Sequence, residues 1–191
     1  MSNSRTKAHN TYFVDGGQVP GVTEIIGSNL GWNKAALIAW ANKMSSAGQD
    51  PDKIRDQAAG IGTITHAMVK EFLLEKTFDR DEYPPLDVQV AERAFLGFMR
   101  WFEDSNIKVL DSELPLTHSE WYYGGTLDLK CELDGDLYIV DFKTSTGVYL
   151  EHKIQLAAYR ELVIFNNVNE QPLCGILHLS KRTGKHKFYN N

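Results

Sequence analysis

The 191-residue sequence predicts an α/β fold with a central mixed β-sheet flanked by helices and a mainly helical region ahead of it. Three observations carry this. Residues 1–105 hold mostly helical patterns, residues 106–191 read β-β-β-α-β-β, and Asp134-Gly135 is a two-residue turn signal that folds two of the strands into a hairpin. The length suits one domain spanning 1–191, with the helical part at 1–105 and the strand-rich core at 106–191.

Each element follows from local pattern. "TYFVDGGQVPGVTEII" reads as a strand, a Gly-Gly turn, a short extended piece and a helix capped by Thr23. "NKAALIAWANKM" has apolar residues at helical spacing. From Pro51 to about Glu75 the pattern is helical again, with a break expected near Gly60 and Gly62. "PPLDVQVAERAFLGFMRWFEDSN" opens on prolines suited to a helix start, and Ala91, Phe95, Phe98 and Phe102 form one apolar face. "KVLDSELPL", "EWYYGGTLDLKCEL" and "DLYIVDFKT" are strands; "EHKIQLAAYRELVIFNN" is a helix; "PLCGILHLS" and "KHKFYN" are the last two strands.

Composition narrows the function classes. No run approaches the roughly 20 apolar residues of a membrane helix, and the polar start "MSNSRTKAHN" lacks a signal peptide's apolar stretch, so a cytoplasmic protein is expected. Cys131 and Cys174 have no cysteine neighbours at ligand spacing, so neither a four-cysteine zinc site nor an iron–sulfur cluster is expected. The net charge of −5 argues against a broad grip on duplex nucleic acid and leaves room for a local basic groove.

The chemistry sits in the hairpin. "IVDFKTS" reads as an interior strand, yet Asp141 and Lys143 share one of its faces. With Asp134 and Gly135 as the loop, Leu133 pairs with Asp136, and counting outward along both strands sets Asp128 across from Asp141. Directly opposed residues have Cβ atoms roughly 4.5–5.5 Å apart, where two carboxylates repel. On a solvated edge these charges would make an ordinary ion pair worth about 0–1 kcal/mol. In a strand this apolar, the pair needs a shared proton or a cation between them, and a divalent metal meets that need best. Carboxylate oxygens suit Mg²⁺ or Mn²⁺, and Lys143 beside such an ion could orient water or neutralise charge on a phosphorane-like transition state.

"GGTLD" followed by "IVDFKTS" resembles the PD-(D/E)XK nuclease superfamily, whose second acidic residue and lysine form the D/E-x-K element. "GTITH" at 62–66 and "QLAAY" at 155–159 resemble the G-x-x-x-H and Q-x-x-x-Y motifs of its RecB-like branch, in the expected order. "VPGVTEII" resembles the start of phage and mitochondrial exonucleases of that branch, with Gly21 where they carry serine. The resemblance implies a restriction-endonuclease-like core and a metal-dependent DNA exonuclease acting on single-stranded ends. The alternatives are a structure-specific or restriction-type endonuclease, or a DNA-binding subunit with a relic site.

The same resemblance implies roles for single residues. Asp128, Asp141 and Lys143 would be catalytic, and His66, Asp128, Asp141 and the Phe142 carbonyl would hold the metal, Mg²⁺ or Mn²⁺, the imidazole nitrogen making Mn²⁺ a good candidate. Glu113 matches an acidic position on the preceding strand, where it could hold a second metal or a water, or merely punctuate the strand. Gln155 and Tyr159, one helical turn apart, would face the active site and DNA. Thr144 and Ser145 could bind a phosphate or begin the turn into the next helix. Lys153, Arg160, Lys181, Arg182 and Lys185 are candidate phosphate contacts. Trp32, Trp40, Trp121, Tyr122 and Tyr123 are candidate base-stacking residues, with core packing the alternative for most of them. The histidines at 9, 118, 152, 178 and 186 match no ligand position of the family.

Overall fold

Alternating apolar and polar residues build the three antiparallel strands at the centre of the computed structural model, which describes residues 10–29 and 34–190. They are β3 (Ile107–His118), β4 (Tyr123–Leu133) and β5 (Asp136–Lys143), with β1 (Tyr12–Val14) and β2 (Gly17–Val19) forming a separate hairpin upstream. A helix, α5 (Leu150–Asn166), carries the chain from β5 across to β6 (Leu173–Leu179), which lies parallel to β5, and β7 (His186–Asn190) closes the edge antiparallel to β6. The sheet order is β3-β4-β5-β6-β7, an α/β fold with a mixed five-stranded sheet. Ahead of it come α1 (Val22–Asn29), α2 (Lys34–Ser46), α3 (Pro51–Leu73) and α4 (Pro85–Asp104). No helix among the described residues is long and apolar enough to cross a membrane. The polar first nine residues, with His9, and Trp32 lie outside the described residues.

Helices cover both faces of the sheet. On one, Phe98 and Trp101 of α4 and Val69 of α3 pack on Leu129, Cys131, Val140 and Phe142; on the other, Leu156, Leu162 and Val163 of α5 and Val22 of α1 pack on Leu127, Ile139 and Ile176. With both faces covered, β5 is buried from Tyr138 to Phe142.

Four local features differ from expectation. The first hairpin turns at Asp15-Gly16, both left-handed (φ 50° and 78°), and Gly17 opens β2. Thr23 lies inside α1, whose first bond runs from the Ile25 N–H to the Gly21 carbonyl (3.0 Å). β4 begins at Tyr123, the residues before it forming a turn. The helix α3 runs unbroken through Gly60 and Gly62, started by Asp50, whose side chain accepts from the Asp52 and Lys53 N–H groups. Gly62 marks a close approach and not a break: a Cβ there would lie 3.1 Å from Thr144 Oγ1 at the end of β5.

The register counted from Asp134-Gly135 holds from Leu133↔Asp136 to Leu129↔Val140. Both loop residues are left-handed (φ 53° and 94°), as a tight hairpin turn requires. The ladder stops one pair short of Asp128 and Asp141. There β4 turns over, so that Leu129 faces the α4 core and Leu127 the α5 core. Glu113, beside Asp128 on β3, takes a left-handed backbone (φ 52°) at the same level. Irregularities of this kind re-aim side chains, and they recur next to active sites.

Candidate active site

The opening of the ladder at Asp128 brings charges from four elements together. Freed from strand pairing, Asp128 uses its side chain where backbone would have bonded: Oδ2 accepts the Phe142 N–H at 2.8 Å. Its Oδ1 lies 3.2 Å from Nδ1 of His66, which α3 delivers one turn after the close contact at Gly62. The His66 Nε2–H donates to the Phe142 carbonyl at 3.0 Å. A neutral imidazole has one N–H, so Nδ1 facing Asp128 carries a proton only in the imidazolium. The gap between His66 and Asp128 therefore asks for positive charge.

Ligand-capable atoms of His66, Glu113 and Asp128 all lie within 4.8 Å of one another. The expected set was His66, Asp128, Asp141 and the Phe142 carbonyl, with Glu113 as a further candidate. The structure brings Glu113 together with His66 and Asp128, and Asp141, near enough to feel the Asp128 charge, pairs with Lys143. Phe142 keeps its ring in the core, edge-on to Phe98 at 5.5 Å, and aims its carbonyl at His66.

Lys143 is held from two sides. Its Nζ lies 2.7 Å from Asp141 Oδ2 as an ion pair and donates to Gln155 Oε1 at 3.0 Å; the Gln155 amide donates onward to the Tyr159 hydroxyl at 2.8 Å. Gln155 and Tyr159 thus share a face of α5, and that face grips the lysine. Asp141 is buried, and the Lys143 ammonium is the partner of its Oδ2. Burial pushes the Asp128 carboxyl up, but His66, Lys143 and the Phe142 N–H outweigh it and hold it at about 2. Asp141 moves the other way: burial raises it, Lys143 pulls it down, and the Asp128 charge adds to the rise. Neighbouring carboxyls driven apart in this manner occur at acid–base and metal sites and in structural ion-pair networks alike.

The other candidates are placed as follows. Thr144 is buried against Gly62, and the Ser145 hydroxyl donates to the Gly147 carbonyl at 2.7 Å, closing the turn into α5. Arg160 donates to the Pro172 carbonyl and Gln171, and Lys181 to the Ala58 carbonyl, while Lys153, Arg182 and Lys185 are exposed. Trp121 is exposed and stacks on the buried His118 at 4.6 Å; Tyr122 is exposed, Trp40 half-buried, and Tyr123 buried with its hydroxyl on the Ala158 carbonyl.

Sequence reasoning passed over His152 and His178. The His178 Nε2–H donates to the Ser145 carbonyl at 2.7 Å, bracing the turn after Lys143. His152 sits at the start of α5, three residues after Tyr149 and three before Gln155, a spacing that placed it near the lysine's holder. No protein-family model matches the chain, and no curated protein matches it.

Proposed function

We propose that the chain is a metal-dependent deoxyribonuclease with a restriction-endonuclease-like core, of the RecB-like PD-(D/E)XK type, hydrolysing phosphodiester bonds at single-stranded DNA ends. The observation that carries this reading is Lys143 Nζ, fixed between Asp141 and Gln155 beside the cluster of His66, Glu113 and Asp128. The donor set of one imidazole and two carboxylates, with the buried Asp141 carboxyl close enough to feel the Asp128 charge, fits Mn²⁺ or Mg²⁺. When bound, such an ion supplies Lewis-acid polarisation of the phosphate and a more acidic water.

The remaining work falls to the chain. An ammonium has three donors; two of Lys143's point at Asp141 and Gln155, leaving the third for a phosphate oxygen or the attacking water. Because both anchors are in place before substrate arrives, the charge needs no reorganisation as the transition state forms. Asp141 orients the ammonium. Asp128, ionised at neutral pH, holds His66 and the Phe142 amide in register, so that the end of β5 and α3 present one constellation.

End-labelled linear DNA, single- and double-stranded, incubated with Mg²⁺, Mn²⁺ or EDTA tests this against Lys143→Ala and Asp141→Ala. Cleavage needs the metal, falls by about a hundredfold or more in each variant, and spares closed circular DNA. Activity that survives EDTA or both substitutions refutes the nuclease chemistry; equal cutting of circles refutes the preference for ends.

A further inference from the structure

A second recess lies against the same lysine. Between α1 and the start of α5 opens a cleft of about 310 Å³, lined by Thr23, Ile26 and Gly27 on one side and by Tyr149, Glu151, His152 and Gln155 on the other. Gln155 ties it to the chemistry, since its side-chain carbonyl holds Lys143. The aromatic side is already ordered. The Tyr149 hydroxyl bonds Thr146 Oγ1 at 2.6 Å, and its ring, 42% exposed, stands edge-on to His152 at 5.4 Å. His152 Nδ1 accepts the Tyr149 N–H at 3.2 Å, which leaves the ring proton on Nε2. Burial and the Lys143 charge hold this imidazole at about 4, so it stays a neutral ring at neutral pH. Across from it, Ile26 offers an aliphatic wall. A slot with an aromatic wall, an aliphatic wall and polar donors beside them suits a flat heteroaromatic ring with hydrogen-bonding edges.

We propose that this cleft receives the unpaired base of the nucleotide next to the scissile phosphate, with Tyr149 and His152 as its specificity-determining residues. The proposal rests on the nuclease reading and deepens it. A paired, stacked base presents no free face to a slot between two helices, so a duplex must fray before it is cut. Preference for single strands thereby acquires a structural cause next to the catalytic lysine.

The test compares an oligothymidylate with the same strand made abasic at its terminal residues, in the parent, Tyr149→Ala and Gly27→Leu. The last substitution fills the cleft from the α1 side, where a Cβ meets nothing within 4 Å, so the helix is expected to fold. With Mn²⁺ the parent is expected to favour the base-bearing strand by about tenfold or more in kcat/KM, chiefly through KM, the scale of one base stacked on an aromatic ring. Both variants bring that ratio close to one. A merely structural role would lower both substrates alike and keep the ratio. Fluorescence anisotropy of the two labelled strands in EDTA reads binding without hydrolysis. If the parent cleaves neither strand but still binds the base-bearing one more tightly, and Gly27→Leu erases the difference, the slot stands and the nuclease reading falls. If cleavage proceeds but the parent does not discriminate, or the variants keep its ratio, the slot is wrong and the nuclease reading stands.

Discussion

Asp128 serves backbone and site at once. One oxygen replaces a strand partner for the Phe142 N–H, and the other faces His66, so the carboxyl is ionised down to about pH 2. Its folded value lies below the ordinary 3.8, so its contribution is complete above that value and is lost as pH falls towards 2. In EDTA, the parent should therefore lose about 2 kcal/mol relative to Asp128→Asn between pH 5 and pH 2. Urea unfolding of both proteins across that range measures the difference. A constant gap would mean that the carboxylate's charge does not matter to folding. Asn keeps the acceptor for Phe142, so the comparison isolates charge from hydrogen bonding.

At the scale of elements, the site depends on how closely α3 and α5 approach the sheet, and two glycines set those distances. Gly62 brings α3 against Thr144. Gly125 of β4 lies under Tyr159, where a Cβ would fall 2.5 Å from the ring. Gly125→Ala should cost about 1–3 kcal/mol through overpacking and push Tyr159 off Gln155, slackening the chain that ends on Lys143. Cleavage should fall further than in Tyr159→Phe, which loses only the hydroxyl; thermal melts and cleavage rates on both variants check this. Much of this architecture was legible from local chemistry. Asp134-Gly135 announced the hairpin and its register because the turn's left-handed backbone needs those residue types. The reversal of β4 at Asp128 was not legible, because there a side chain substitutes for a backbone partner and no residue type signals it. Glu113 entered the cluster through the same irregularity, from a left-handed conformation its residue type does not favour. The uninterrupted α3 is the converse case: packing of Ile61, Ile64 and Met68 on Val88 and Ala91 of α4 overrode the helix-breaking tendency of Gly60 and Gly62.

Over the whole molecule, the charges gather at the carboxyl end of β5, beside its parallel partner β6 and beneath α3 and α5. This is the end at which α/β sheets commonly bind ligands, since helices and loops converge there over an otherwise buried strand. A net charge of −5 is no obstacle to a DNA substrate when acidic groups in the cluster are neutralised by a cation. Binding to the folded state alone also couples the cluster to global stability. Saturating Mn²⁺ should raise the melting temperature by about 5 °C, and Asp128→Asn should remove most of that rise. The most direct measurement is anomalous diffraction at the manganese edge from crystals grown with millimolar Mn²⁺. The predicted result is a peak within ligand distance of His66, Glu113 and Asp128, next to Asp141. Density without a peak there, or a peak only elsewhere on the molecule, would contradict the assignment of these charges as a cation cradle.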